Sequence, residues 1–510
     1  MKRFCYLLLM MALSATGFAQ DIKKVRDKYF PNPELPELNT PIAHKRKGYT
    51  SYKEMVRFLK EQVTQNPGLI SLDVAGHSQR GKEIYGVRIA DDTQGTEKLR
   101  ILYLARVHGD EPGGTEAMLH FIDRVTKEQG LLSLLDKIEI YIMPMVNVDG
   151  GESMTRQTYN GIDLNRDQVR IESPEAVAMR GYVNRIEPHV TVDFHEYQPL
   201  KSAYSLISSD ILTVPWDVMF LTSGNPNVAT PVRTAIDSLF LPQATALLNR
   251  NQFSTHTYYT PKKTSRGVVL NMGGSSIRST SNTFALSNMY SILIEGRGIG
   301  LGGKGIKRRI QNLHMLATSF AQTSYSHKEE LLAGLQQALE ERKPVVVNFV
   351  SEKKEDCPVS FINQLKCRID TVPMMISNAM ASSVKESRPL PKKYYLLPTE
   401  QNALETLHKM GVKTEILQTE RTLRVEAFDI LSASEEGQPF RTFTPLKVKT
   451  RMKEKEITLP AGTIEVDTRQ KTVRLLAALL EPESSNGFVN YRVIEVTEGE
   501  ELPVYRSMNK

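Results

Sequence analysis

The chain is predicted to be an α/β protein: a mixed, largely parallel sheet flanked by helices, followed by a smaller β-rich C-terminal domain. Three observations predict this. Four short apolar runs, residues 101–107, 138–146, 190–194 and 290–294, read as buried strands, and each leads straight into a polar segment. Residues 305–323 and 326–342 carry apolar residues at helical spacing and would close the first domain. Beyond Lys343 the texture changes to short strands between turns. A chain of 510 residues is too long for one compact core. The expected division is a signal peptide over residues 1–19, a catalytic domain over 20–342 and an accessory domain over 343–510.

The first strand delivers His108-Gly-Asp-Glu111, after which Pro112-Gly-Gly-Thr-Glu-Ala-Met-Leu opens a helix. The second leads into Asn147-Val-Asp-Gly150, the third ends at His195 and the fourth at Glu295. Open α/β sheets bind ligands outside the carboxyl ends of their strands. Two imidazoles and one carboxylate form a known ligand set of catalytic zinc, which leaves the fourth position open. His108, Glu111 and His195 supply that set for one zinc ion per chain, and Glu295 is a spare carboxylate suited to moving protons. Glu111 has a competing reading as a helix N-terminal carboxylate favoured by the dipole.

The segment Gly161-Ile-Asp163-Leu-Asn165-Arg166 sets an amide beside a guanidinium, a pair fitted to grip a carboxylate. Asp163 is placed to accept a hydrogen bond from a ligand histidine and fix its tautomer; capping a turn is its alternative. The combined reading is a zinc peptidase that removes the last residue of a peptide. His327-Lys-Glu-Glu330 repeats the H-x-x-E spacing. It follows Ser326, which with Glu329 makes an S-x-x-E capping box, so it reads as a solvated helix face.

Three runs carry a resemblance: Gly48-Tyr-Thr-Ser-Tyr-Lys-Glu-Met-Val56, Gly76-His-Ser-Gln-Arg-Gly-Lys-Glu-Ile84 and, most closely, Arg156-x-x-x-Asn160-Gly-x-Asp163-Leu-Asn165-Arg166. From about Tyr49 to about Arg309 the chain resembles the zinc carboxypeptidases of the A and B type. The resemblance implies that His108, Glu111 and His195 are the zinc ligands and Glu295 the catalytic carboxylate. It implies that Asn165 and Arg166 hold the terminal carboxylate and that Arg156 faces the scissile carbonyl, where it can stabilise an oxyanion.

The chain also departs from that family. The interval from Arg166 to His195 is short, and residues 198–259, rich in Pro, Ser and Thr, read as insertion and loops. Where the familiar members carry a mobile cleft tyrosine, this chain has Gly273-Gly-Ser-Ser-Ile-Arg278-Ser-Thr280; Tyr258 and Tyr259 are the available stand-ins. Two rival functions use the same site. One is a zinc amidase or deacylase acting on wall peptides or N-acyl amino acids; its substrates also end in a carboxylate, so Asn165 and Arg166 do not discriminate. The other is a binding protein with a retired site, against which the complete ligand set and Glu295 argue. Arg297 reads as the structural partner of a carboxylate and Glu196 as a solvated strand-end charge.

Met1-Lys2-Arg3, an apolar core over residues 4–13 and Gly17-Phe-Ala19 form a secretory signal peptide, too short to span a bilayer. The expected location is periplasmic or extracellular. In such an oxidising space Cys357 and Cys367 are the pair available for a disulfide. No other segment is long and apolar enough to cross a membrane. The net charge of +7 comes from interspersed residues, with no basic stripe or aromatic platform for nucleic acid. The expected partner is a peptide or acylated amino acid with a free carboxylate; oligomeric state is left open. In the C-terminal part, Pro344-Val-Val-Val-Asn-Phe-Val350 and residues 423–427, 447–450, 457–466 and 488–494 read as strands, and residues 399–410 as a helix stopped by Gly411. The Leu459-Pro-Ala-Gly462 and Leu480-Glu-Pro-Glu-Ser484 runs resemble the C-terminal portion of some exported bacterial carboxypeptidase-like proteins.

Overall fold

Apolar, β-branched segments set the architecture. The computed structural model describes residues 22–93, 97–437, 439–440 and 443–508; the expected signal peptide lies outside them. In chain order the strands are β1 Ile70–His77, β2 Glu83–Ile89, β3 Leu99–Ala105, β4 Ile138–Met143, β5 Val190–Tyr197, β6 Leu212–Thr213, β7 Val218–Thr222, β8 Thr255–Thr257, β9 Tyr259–Thr264, β10 Gly267–Met272 and β11 Tyr290–Arg297. After the helices Ile306–Ser326 and Lys328–Glu340 come β12 Val345–Asn363, β13 Arg368–Arg388, β14 Lys393–Leu396, β15 Glu415–Ile416, β16 Arg421–Glu435, β17 Leu446–Leu459, β18 Ile464–Asp467 and β19 Val504–Ser507.

The first sheet has the order β1-β2-β4-β3-β5-β11-β7-β8. Its centre, β4-β3-β5-β11, is parallel, while β1, β2 and β7 pair antiparallel. Helices Gly113–Val125, Pro174–Ile186 and Ile306–Ser326 cover it. Every residue of β5 and β11 is buried, as strands covered on both faces require. Their register sets His195 directly beside Glu295. Both residues lie inside their strands, not just past the ends as the apolar runs suggested. The α/β class with a mixed sheet is therefore what forms.

Residues 198–259 are more ordered than their composition suggests. They supply β6, β7 and β8 and the helices Thr230–Ala235 and Leu241–Arg250. Val218-Met-Phe-Leu-Thr222 is a fully buried strand hidden between polar flanks. Helix Ile306–Ser326 runs through Ser326, so no capping box forms there; the next helix starts at Lys328 with no side-chain cap. A capping box does form at Ser51 and Glu54.

The second sheet, β6-β12-β13-β10-β9, draws strands from both sides of residue 342. β13 runs parallel to β10, and β12 pairs antiparallel with β6 and β13. Buried Asn227 clamps this junction: its amide donates to the Val346 carbonyl and accepts from the Val346 N–H, each at 2.8 Å. The third sheet, β15-β18-β14-β19-β16-β17, is antiparallel throughout. The expected helix before Gly411 forms as Gln401–Lys409. Residues 488–494 form turns instead of a strand. Their backbone folds back locally, Phe488 N–H donating to Leu479 and Val493 N–H to Phe488. Those turns pack near the helix Val473–Leu480, every residue of which is buried, Arg474 included. Cys357 and Cys367 are both buried and free, so the available disulfide does not form. Among the described residues no helix is long and apolar enough to cross a membrane.

Candidate active site and metal centre

The site forms where β3, β5 and β11 end. After β3 the chain turns sharply at Arg106 (φ 57°), a buried arginine whose guanidinium bonds the carbonyls of Gly109 (3.0 Å) and Gly151 (2.8 Å). Gly109 touches the next loop so closely that a Cβ there would meet the Gly150 carbonyl carbon at 2.1 Å. The Gly109 N–H and the Asn147 amide both bond the Arg156 carbonyl, at 3.3 and 3.2 Å. Three loops are thus stitched together under the metal ligands.

His108, Glu111 and His195 converge, with one ligand atom from each within 4.8 Å of the others. Glu111 Oε1 lies 2.8 Å from His108 Nδ1, and its Oε2 lies 2.8 Å from His195 Nδ1. The two Nδ1 atoms are 3.0 Å apart. On the far side of each ring, Nε2 meets a carboxylate: His108 faces Asp163 Oδ1 at 3.1 Å and His195 faces Asp193 Oδ2 at 2.9 Å. Those carboxylates fix the tautomer, with the proton on Nε2 and the Nδ1 lone pair turned inward. Two lone pairs and a carboxylate aimed at one point are a donor set for a cation, and N and O donors of this kind suit zinc. Charge agrees. Burial opposes ionisation of His108, but Glu111 and Asp163 raise its pKa; Asp193 and Glu111 raise His195 well above the usual imidazole value against the same opposition. The cluster demands positive charge.

Asp163 takes the predicted position and also caps its own turn, accepting from the Asn165 N–H at 2.9 Å, so both readings hold together. Arg156 bonds Asp163 Oδ2 through Nε at 3.0 Å and brings Nη1 to 3.2 Å from His108 Nδ1 and 3.5 Å from Glu111. Its side chain is 35% exposed, leaving the outer edge of the guanidinium open to the cleft. Glu295 is buried; desolvation first, then the Glu111 charge, push its pKa up to about 7.

Asn165 is oriented by a residue far away in sequence. The Thr280 N–H donates to Asn165 Oδ1 (2.9 Å), which turns the Asn165 NH₂ group outward. The Thr280 hydroxyl also lies 2.6 Å from Asp193 Oδ2, linking the carboxylate grip to the metal shell. Arg166 donates to the Asn165 carbonyl at 2.6 Å. Burial, with repulsion from Arg278 and Arg156, lowers its pKa.

Sequence reasoning missed Asp193, Thr280 and Lys201. Lys201 is a half-buried cation that interacts with Glu295 and Arg156. Of the two tyrosines, Tyr258 faces the site: burial first, then Glu295 and Glu111, hold its phenol well above the usual value. Tyr259 turns away, edge-on to His256 at 5.4 Å. Glu196 is not solvated. It is buried, accepts from the Gly113 N–H at 2.9 Å where that helix begins, and pairs with buried Arg309 at 2.8 Å. The helix-terminus role weighed for Glu111 thus belongs to Glu196, and Glu111 is free to bind metal. Arg297 bonds Thr213 Oγ1 at 2.9 Å and lies 4.0 Å above the Phe30 ring, a structural position. His327 meets Glu330 at 2.9 Å on an exposed surface, as expected of a solvated pair.

The chain is similar to known carboxypeptidases. "Carboxypeptidase 2" of Trichophyton equinum is 25% identical over 417 residues, 81% of this chain and 77% of that protein. "Carboxypeptidase 2" of Trichophyton rubrum is 23% identical over 470 residues, 90% of this chain and 87% of that one. Among solved structures, a metallo-carboxypeptidase from Burkholderia cenocepacia aligns over 55% of this chain and 70% of its own at 18% identity, with a TM-score of 0.43. Residues 55–308, which contain every metal ligand and Glu295, match the zinc carboxypeptidase family model, and this catalytic region belongs to the zinc carboxypeptidase family.

Proposed function

We propose that this metallocarboxypeptidase is exported and removes single residues from the C-terminus of peptides, with Asn165 and Arg166 as the grip that makes it an exopeptidase. The observation that carries the reading is the Thr280–Asn165 contact. By occupying Oδ1, it leaves the Asn165 NH₂ to donate beside a guanidinium whose one direct hydrogen bond among the described residues is to the Asn165 carbonyl and whose main carboxylate influence, Asp163, is engaged by His108 and Arg156. A free carboxylate satisfies both groups at once. Export is supported by the basic start, apolar core and small-residue site of residues 1–19.

Zinc held by His108, Glu111 and His195 would supply a Lewis acid for the scissile carbonyl and acidify the attacking water. Glu295 takes the water's proton and hands it to the leaving amine, base first and acid second. A carboxylate with a raised pKa is suited to both halves of that exchange. Arg156, tied to Asp163 on one edge, offers its open edge to the developing oxyanion. Tyr258 stays protonated beside the same charges.

Matched peptides with a free or amidated C-terminus test the reading. The amide loses a charge and an acceptor, so kcat/KM should fall by about tenfold to a hundredfold or more. Arg166→Ala should narrow that gap. Equal cleavage of both peptides by the unmodified enzyme would mean that Arg166 does not read a terminal carboxylate.

A further inference from the structure

We propose that Arg278, with the Tyr491 hydroxyl beside it, selects an acidic side chain on the residue being removed. The proposal rests on the carboxypeptidase reading and adds a substrate class to it.

Arg278 sits two residues before Thr280, the residue that orients Asn165. Its loop is also tied to the C-terminal region, because Ser276 Oγ donates to Asn486 Oδ1 at 2.5 Å. The guanidinium is therefore anchored next to the carboxylate grip, close enough to repel Arg166. Two cations so near each other are more than one terminal carboxylate needs.

Arg278 lacks the partner that such a group normally has. Arg308 meets Asp217, Arg309 meets Glu196, and Arg388 and Arg506 meet Glu481. No carboxylate pairs with Arg278 among the described residues. Its Nη1 reaches Tyr491 Oη at only 3.5 Å, and its Nε is buried with no acceptor. The Phe440 ring, 5.5 Å from Cζ, stabilises the charge without satisfying the N–H groups. Arg180 also lacks a carboxylate, but it is sealed against Phe284 and out of solvent's reach. Arg278 is half-buried and borders a cavity of about 960 Å³ on the C-terminal side of its loop, lined also by Asn486, Asn490, Glu386, Glu436 and Glu483, so it is open to solvent.

A C-terminal glutamate or aspartate matches this pattern. Its α-carboxylate takes Asn165 and Arg166, and its side-chain carboxylate takes the orphan donor of Arg278, with the Tyr491 hydroxyl as a second donor. A neutral side chain leaves the Arg278 donor unpaired, and a basic one meets like charge.

N-benzoyl-glycyl dipeptides ending in glutamate, glutamine or lysine give the test, because glutamine copies the shape of glutamate without its charge. The zinc-loaded enzyme should favour glutamate over glutamine by about ten- to a hundredfold in kcat/KM, the usual span for a charge-assisted hydrogen bond. Arg278→Gln should bring that ratio near one. Arg278→Lys should restore part of it, and Arg278→Glu should turn the preference toward lysine, a reversal that a damaged fold cannot produce. Tyr491→Phe should lower the glutamate preference by a smaller factor. A glutamate-to-glutamine ratio of one in the unmodified enzyme, or a ratio unchanged in Arg278→Gln, overturns the proposal while leaving the carboxypeptidase reading in place. Failure to release any of the three residues overturns both.

Discussion

Two buried clusters of acidic residues in this molecule follow opposite plans. At the ends of β3, β5 and β11, buried Glu111, Asp193 and Glu295 lie near Asp163, and the groups facing them are two imidazoles, the partly exposed Arg156 and the half-buried Lys201. In the C-terminal region, Glu481 takes Arg506 at 3.1 Å, Arg388 at 3.1 Å and the Tyr394 hydroxyl at 2.8 Å, while Glu483 takes Arg388 at 2.7 Å. Glu426 also meets Arg506 at 2.8 Å and Glu386 meets Arg388 at 2.7 Å, so every carboxylate of the second cluster has a guanidinium partner. In the first, Asp193 has only an imidazole as ion-pair partner among the described residues and Glu295 is buried beside Glu111, and a buried charge without a partner is costly unless something else neutralises it. Among the described residues, the unbalanced cluster also holds the one His/Glu group with metal-ligand geometry. Imbalance marks the reaction centre and balance marks architecture, a distinction that the H-x-x-E spacing alone does not make, because His327 and Glu330 share the spacing on an open surface.

The largest expected effect breaks the unbalanced cluster at its proton carrier. Glu295→Gln keeps the shape and removes the base, so turnover should fall by about 10²–10⁴-fold with metal content unchanged. The pH profile sharpens this. Burial and Glu111 raise the pKa of Glu295, so the working carboxylate is lost as pH falls through that value, giving an acid limb to kcat/KM. A bound dication adds an opposite pull and moves the limb below 7. The residual activity of Glu295→Gln should lack the limb. Near-normal turnover, or an acid limb that survives the substitution, would assign the proton transfer to another residue.

Why were some of these groups legible in the sequence and others not? His108, His195 and Glu295 each follow a run of buried strand residues, so fold position and ligand chemistry coincide. Asp193 was within reach of the same reading. Side chains two apart on a strand share a face, so Asp193 had to lie on the same side as His195. Thr280 carries no local signal; it meets Asn165 across 115 residues of chain. The C-terminal region was harder because its short helix Val473–Leu480 is buried on every side and its apolar residues 488–494 are buried in turns. Hydrophobic period reports on elements with one wet face, and these have none.

The balanced cluster should break as a structural unit. Glu481→Ala leaves Arg506, whose side chain is 1% exposed, with Glu426 as its remaining carboxylate but none at Nε, takes one carboxylate from Arg388, and strips the acceptor from Tyr394. Removing one member of a buried ion pair typically costs about 3–5 kcal/mol. The denaturant midpoint should fall by a corresponding amount, while zinc content per folded chain stays the same. A midpoint unchanged from that of the unmodified protein would show that water replaces the carboxylate and that the cluster is not sealed.

The finest test separates the two carboxylates that orient the metal ligands. Asp193 and Asp163 do the same work on His195 and His108, but their settings differ: the Asp193 side chain is 4% exposed and the Asp163 side chain 21%. Asp193 also accepts from Thr280 at 2.6 Å, whereas Asp163 shares its charge with Arg156. Replacing either by asparagine keeps an oxygen and removes the negative charge that raises ligand basicity. Such changes typically weaken metal binding by about 10–100-fold. Asp193→Asn should fall toward the upper end, because water cannot take its place behind His195, and Asp163→Asn toward the lower end. Competition against a chelating dye measures both, with His327→Ala as the control that should leave affinity unchanged. If each carboxylate orients only its own imidazole, the double variant should lose the product of the two factors. A double variant no weaker than Asp193→Asn alone would show that the site loses its geometry in one step, and that the cluster acts as a single unit around the charge it lacks.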